Sequence, residues 1–115
     1  MIHHMLSEAE WAIARVAGEV TAPSLETEGF IHCSTDALLP GVFERHYAGR
    51  TGLIILHIDE ELITDSEIRW EAPAHPDGSP NTTAEEAERY PHIYGTIPVT
   101  AVVSTSAPGD PGGLI

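Results

Sequence analysis

Seven histidines and a single cysteine occur in 115 residues, and the histidines differ in their settings. His32 lies in the middle of GFIHCS, after Phe30 and Ile31 and before Cys33 and Ser34. His92 lies in YPHIYG, between Tyr90 and Tyr94. An imidazole titrates near neutrality, so a histidine beside a substrate can move a proton or hydrogen-bond a sugar hydroxyl. His3 and His4 are adjacent in IHHML, where strand alternation points one of them inward. His46, His57 and His75 read as structural or exposed. A strand-borne histidine taken alone is more often a hydrogen-bonded core residue than a catalytic one. A site requires convergence, and His4, His32 and His92 are the three whose meeting would make one.

Two other chemistries can be weighed on the same residues. Zinc would need three or four His, Cys or carboxylate ligands in near-tetrahedral array, and His4, His32, Cys33 and His92 could supply them. No CxxC, HxxxH or HExxH spacing is present, so no metal is expected. Cys33 as a nucleophile would need a base, but His32 is its neighbour in a strand and points to the opposite face. Ser7 and Glu10 have the spacing of a capping box, a structural device that asks for no function.

Eighteen acidic residues against five basic ones give a formal charge of -13, and all five basic residues are arginine. Nucleic-acid binding draws its affinity from Lys and Arg neutralising several phosphates, so that class of partner is disfavoured. Anionic membrane surfaces are disfavoured for the same reason. A small ligand with one or two phosphates can still be served by one arginine or a helix N-terminus. The lone Cys33 fits a reducing compartment. No apolar run approaches the ~18 residues of a membrane span, and MIHHMLSEAEW lacks the features of a secretory signal. A cytoplasmic protein is expected.

The elements that must position these residues can be read coarsely. With 42% hydrophobic residues the chain can bury a real core as one domain. Ile2 to Leu6 reads as a strand stopping at Ser7, the N-cap of a helix over Glu8 to Ala17 that ends at Gly18, with Leu6 and Trp11 as a hydrophobic staple. Glu19 to Gly29 has no period and is read as an irregular connection with a short extended piece. Phe30 to Ser34 is a strand with Phe30, His32 and Ser34 on one face. A second helix is expected over about Asp36 to Ala48, capped by Ser34 or Thr35, with Leu39, Val42, Phe43 and His46 at core spacing and Pro40 awkwardly deep in it. LIILHI, Leu53 to Ile58, is apolar enough to be a central strand. One helical turn over Asp59 to Ile63, strands at Ile68 to Glu71, His92 to Gly95 and Ala101 to Thr105, and a long loop from Ala72 to Arg89 complete the reading. The loop has room for a helical turn in AEEAE. The fold class is α+β, as a single domain over 1–105 with a flexible C-terminal tail over 106–115.

The segments PSLETEGFIHCS and PHIYG, with the opening IHHMLS and IRWE before the long loop, closely resemble the small bacterial family catalogued as domain of unknown function 952. The resemblance runs from about Ile2 to Val103 and implies an ADP-ribosyltransferase-like fold, a split β-sheet with two main helices that grips a nicotinamide dinucleotide in a cleft. It implies a ribose-binding role for His4 on the first strand and matches His32 to the second position, a tyrosine in some branches and a histidine in others, with Ser34 beside it on the same face. The RNA 2′-phosphotransferase branch has a similar histidine-rich strand. Where classical transferases carry a glutamate, this chain offers His92 and Tyr94, with Glu71 the nearest glutamate in a strand. For the pyrophosphate the reserves of positive charge apart from Arg15 are Arg45, Arg50, Arg69 and Arg89, with Arg69, beside Trp70, favoured, and Tyr94 or Trp70 can cover the nicotinamide ring. The expected activity is binding of NAD or a related nucleotide, followed by transfer or hydrolysis of ADP-ribose, with no metal. The competing readings are a non-catalytic ligand-binding or protein-interaction module, and a His/Cys metal enzyme.

Overall fold

The structure is a computed structural model that describes residues 1–72 and 89–115. The expected AEEAE turn and His75 lie outside the described residues. The chain opens with strand β1, Ile2–Ser7, and helix α1, Glu8–Ala17. Ser7 Oγ accepts from the Glu10 amide at 3.1 Å, and the Glu10 carboxylate accepts from the Ser7 amide at 2.9 Å, closing the capping box. Gly18 ends the helix at φ 86°, where an L side chain would be strained, and donates its amide to Ala14 O. Trp11 packs against the core cluster that contains Leu6, as a staple would place it.

The connection read as irregular is more ordered than its sequence indicates. It holds strand β2, Glu19–Val20, and helix α2, Pro23–Thr27. Pro23 supplies the pre-set φ of a first helical turn, and five residues are too short for a periodic signal to emerge. The next strand, β3, has ladder pairing only over Ile31–His32. Helix α3 covers Leu39–His46, shorter than expected. Thr35 caps the turn before it, its hydroxyl accepting from the Leu38 amide, so Pro40 falls in the first turn of α3, where its missing N–H costs nothing. His46 is exposed rather than a core residue, while Leu39 is buried.

Strands β4, Leu53–Ile58; β5, Glu67–Glu71; β6, Tyr90–Tyr94; β7, Ile97–Pro98; and β8, Val102–Ser106 follow, with short 3-10 turns at Glu60–Leu62 and Val99–Ala101. The architecture is a small α+β fold with eight strands in three antiparallel sheets and three α-helices among the described residues, against the two main helices expected. The sheets run β1-β4-β8, β2-β7 and β3-β6-β5, with β4 central as its apolar run foretold. Gly95 closes β6 where Ser66 approaches: a Cβ there would lie 2.3 Å from Ser66 Oγ, which donates to Thr96 O. No helix of the described residues is long and apolar enough to cross a membrane.

Two apolar clusters hold the layers. The larger joins Ile2 and Leu6 of β1, Leu56 and Ile58 of β4, and Ile31 and Ile93 of the second sheet. The smaller joins Met5, Leu39 and Ile55, with Val42, Phe43 and Tyr47 of α3 against it. At the C-terminus, Ile115 packs on this smaller cluster and its carbonyl oxygen accepts from the Gly109 amide.

The two three-stranded sheets meet at one antiparallel bridge, His3 to Ser34, made of two backbone hydrogen bonds of 2.8 Å. His4 strengthens the junction, its Nδ1–H donating to the His32 carbonyl at 2.7 Å. On the other face of β1, His3 meets its cross-strand partner His57, with Nδ1 to Nδ1 at 2.8 Å. With both rings neutral, one consistent set of donors runs from Ser106 Oγ–H to His57 Nε2, from His57 Nδ1–H to His3 Nδ1, and from His3 Nε2–H to the Asp36 carboxylate.

Leu56 is fully buried at the centre of the larger cluster, so Leu56→Ala is expected to cost about 2–5 kcal/mol. A fall in the urea midpoint at unchanged m-value reads it. Burial also holds the pKa of His4 and His57 below the usual histidine value, so below about pH 6.5 the unfolded chain binds more protons than the folded one. Stability is therefore full above that pH and lost as pH falls towards the depressed folded values. The urea midpoint should drop between pH 7.5 and 5.5, and His4→Gln, which keeps a donor for the His32 carbonyl, should flatten the slope. A slope unchanged in His4→Gln would show that His4 does not contribute to it.

Candidate functional site

A cleft of about 900 Å³ opens where the sheets part beyond the His3–Ser34 bridge. Strand parity decides what faces it. On β1, His3 and Met5 line the cleft, whereas His4 shares the face of Ile2 and Leu6 and is buried in the junction. The first-strand histidine at the cleft is thus His3, and His4 is the pin between the sheets. On β3 and β6, His32 and His92 are direct cross-strand partners, and both line the cleft together with Phe30 and Ser34. Ile31 and Ile93, one residue over, are fully buried in the core.

The aromatic contacts around these histidines are close. Phe30 stacks on His92 at 4.1 Å and 19° between ring planes, and lies 4.8 Å from His32 and 5.2 Å from Tyr94. The rings of His32 and His92 stand edge to face with centroids 5.2 Å apart. Each histidine is backed by a carboxylate. His32 Nε2 is 2.8 Å from Glu28 Oε2, and His92 Nδ1 is 3.0 Å from Glu71 Oε1. The same Glu71 oxygen accepts from the Tyr94 hydroxyl at 2.5 Å.

These contacts set the electrostatics. The Tyr94 hydroxyl first, and His92 second, hold the Glu71 carboxyl below its usual range, so Glu71 is ionised at neutral pH. The same hydrogen bond raises the Tyr94 phenol. Burial lowers the His92 pKa, with Glu71 opposing it in part. Cys33 is buried and burial alone pushes its thiol well up, which leaves it a poor nucleophile. Among the described residues no group of three or more His, Cys, Asp or Glu is placed to hold a metal ion.

The cations come from α3 and the turn after it. Arg45 and Arg50 line the cleft. Arg45 donates to the Tyr90 hydroxyl at 2.9 Å, and the Arg50 guanidinium lies 5.3 Å from the Tyr47 ring centre. Arg69 is otherwise occupied: it pairs with Glu67 at 3.0 Å and lies over the Tyr94 ring at 4.4 Å, outside the cleft lining. Trp70 alternates with Arg69 and Glu71 and therefore faces the other side of β5, where it is 40% exposed. Of the residues expected from sequence, His32, His92, Ser34 and Glu71 meet at the cleft, and Tyr94 joins them through Glu71. His4, Arg69 and Trp70 do not line it.

Sequence reading does not assign His3, Glu28 or Phe30 to the site, and it ranks Arg45 and Arg50 below Arg69. A local signal existed for some of them. Glu28 precedes His32 by four residues, and RHYAGR places two of the chain's five arginines within six positions. The choice of His3 over His4 had no such signal, because both faces of β1 are buried.

No curated protein matches the chain. Among solved structures, the crystal structure of protein CC0527 from Caulobacter crescentus is similar, with a TM-score of 0.71 and 25% identity over 91% of this chain and 82% of that one. The solution structure of CC0527 gives a TM-score of 0.68 at 24% identity, covering 91% of this chain and 81% of that one. The family model described as "Protein of unknown function (DUF952)" matches residues 5–105, and the chain belongs to that family.

Proposed function

We propose that the cleft binds NAD or a related nucleotide and that its reaction is cleavage at the nicotinamide ribose, with transfer or hydrolysis of ADP-ribose. The observation that carries this reading is the position of Glu71. An ionised carboxylate stands beside two imidazoles at the mouth of a split between two sheets, with two arginines on the wall of α3. The split itself supports the ADP-ribosyltransferase-like comparison, because a dinucleotide in such a fold lies between the diverging sheets.

The roles follow from chemistry. Cleavage of the glycosidic bond to nicotinamide passes through an oxocarbenium-like state, which needs a nearby negative charge and a ribose held in place more than it needs covalent help. Glu71 supplies the charge, and its bonds to Tyr94 and His92 fix where the carboxylate points. His32 is the hydrogen-bonding group for a ribose hydroxyl. The first-strand role passes from His4 to His3, the residue that faces the cleft. Arg45 and Arg50 replace Arg69 as the pyrophosphate partners, and Tyr47 or Tyr90 replaces Trp70 as the cover of a flat ring. The proposed setting is the cytoplasm, consistent with a lone, buried, reduced Cys33.

Calorimetry with NAD and with ADP-ribose tests the reading. Binding is expected for at least one of them, weakened about tenfold or more in Arg45→Ala, equivalent to roughly 1.4 kcal/mol or more. Glu71→Gln should leave binding within a few-fold of the parent while release of nicotinamide stops. Absence of heat for both ligands at millimolar concentration would overturn the nucleotide cleft. Binding with no nicotinamide release by the parent protein would reduce it to a ligand-binding module.

A further inference from the structure

His32 and His92 are arranged as a pair in a way that the nicotinamide reaction does not use. In each ring one nitrogen is held by a carboxylate, Nε2 of His32 by Glu28 and Nδ1 of His92 by Glu71. The other two nitrogens, His32 Nδ1 and His92 Nε2, have no hydrogen-bond partner among the described residues. A carboxylate behind an imidazole fixes its tautomer and steadies its cationic form, which is how a general acid or base is prepared. Phe30, stacked nearly parallel on His92, also sets the plane of that ring. The two environments differ: the His32 side chain is 54% exposed and that of His92 only 11%.

Nicotinamide departs as a neutral ring that takes the bonding electron pair with it, so its loss needs no proton donor. Two neighbouring imidazoles on one sheet face, each with a second ring nitrogen uncommitted, fit a displacement in which one group must lose a proton as another gains one. Displacement at phosphorus is such a reaction, and a guanidinium on the facing wall, Arg45, suits the equatorial oxygens of a phosphoryl centre. The charge of -13 argues against a polymeric phosphodiester and for a small one.

We propose that His32 and His92 form a general acid–base pair that hydrolyses a small cyclic phosphodiester on the ribose of a nucleotide. This goes beyond the glycosidic reading and takes from it only the nucleotide-sized cleft. His92 Nε2 accepts a proton from water, and the water oxygen bonds to phosphorus. The bond from phosphorus to one ribose oxygen breaks, its electron pair stays on that oxygen, and the oxygen receives the proton from protonated His32 at Nδ1. The sum is cyclic diester plus water giving a phosphomonoester, with no redox change. Solvent then reprotonates His32 and deprotonates His92. The lowered pKa of His92 suits the base, since a larger fraction is neutral at neutral pH.

The test is incubation of the full chain with 2′,3′-cyclic AMP, followed by phosphorus NMR as the cyclic phosphate signal gives way to a monoester signal. Turnover above the buffer blank is expected, with a bell-shaped pH profile. His92→Ala and His32→Ala should each lower the rate about 100-fold or more, removing the acidic and the basic limb respectively. His32 is exposed enough for its variant to fold, and circular dichroism checks both. If His92→Ala fails to fold, His92→Asn, which keeps a donor near Glu71, is the substitute. Absence of hydrolysis above the blank by the parent protein, or undiminished rates in the folded variants, overturns the proposal. NAD calorimetry separates the two readings. Binding of NAD without hydrolysis of the cyclic nucleotide leaves the nucleotide cleft and removes the acid–base pair, and the converse removes the NAD reading alone.

Discussion

The two hydrogen bonds between His3 and Ser34 decide the shape of everything around the cleft. They are the single bridge joining the β1-β4-β8 sheet to the β3-β6-β5 sheet among the described residues. An ordinary ladder would have continued the two sheets into one and left no opening. A single bridge lets the sheets diverge, since each strand twists on its own axis and nothing further along forces them to stay paired. The cost of a short junction is met by neighbours. His4 adds a third bond from its ring to the His32 carbonyl, and the Cys33 amide donates to Pro91 O, so β3 is held on both sides although only two of its residues form a ladder.

The bridge also fixes parity, and parity assigns the chemistry. With His3 paired to Ser34, odd positions of β1 face the cleft and even positions face the larger apolar cluster. With His32 paired to His92, and His92 to Arg69, one face of the second sheet carries His32, His92, Tyr90, Tyr94 and Glu71 while the other carries Ile31, Ile68 and Ile93. A one-residue slip would exchange these sets and put imidazoles into the core. The stability of the apolar side and the placement of the polar side are therefore one constraint.

The parts of this arrangement that sequence made legible were those with local causes. The capping box of Ser7 and Glu10, the glycine stop at residue 18 and the LIILHI strand each rest on neighbouring residues alone, and each appears where its pattern put it. The shared face of Phe30, His32 and Ser34 follows from alternation and also holds. What was illegible depends on contacts made elsewhere. His3 and His4 are equally buried on opposite faces of β1, so no hydropathy pattern separates the one at the cleft from the one in the junction. Arg69 is favoured in sequence because it adjoins Trp70, yet adjacency in a strand means opposite faces. Pro40 is awkward only in a helix that begins at Asp36; the turn capped by Thr35 moves the start to Leu39 and puts the proline in the first turn. Arg45 and Arg50 reach the cleft because α3 packs on Met5 and Ile55, a long-range contact.

The arginines give the acid excess a spatial meaning. Arg69 is neutralised by Glu67, and Arg15 sits in the last turn of α1, where a cation complements the helix dipole. Arg45 and Arg50 are the two that line the cleft, and both are braced by tyrosines. Against a net charge of -13, a long polyanion would meet repulsion over most of its contact surface, since screening in physiological salt leaves charges within about 8 Å still coupled. A ligand with one or two phosphates, as proposed for the cleft, would find these two guanidinium groups in its lining together with the Glu28 and Glu71 carboxylates, each of which is engaged by a histidine. On that proposal the acid excess disfavours a long polyanion while the cleft arginines favour a short one.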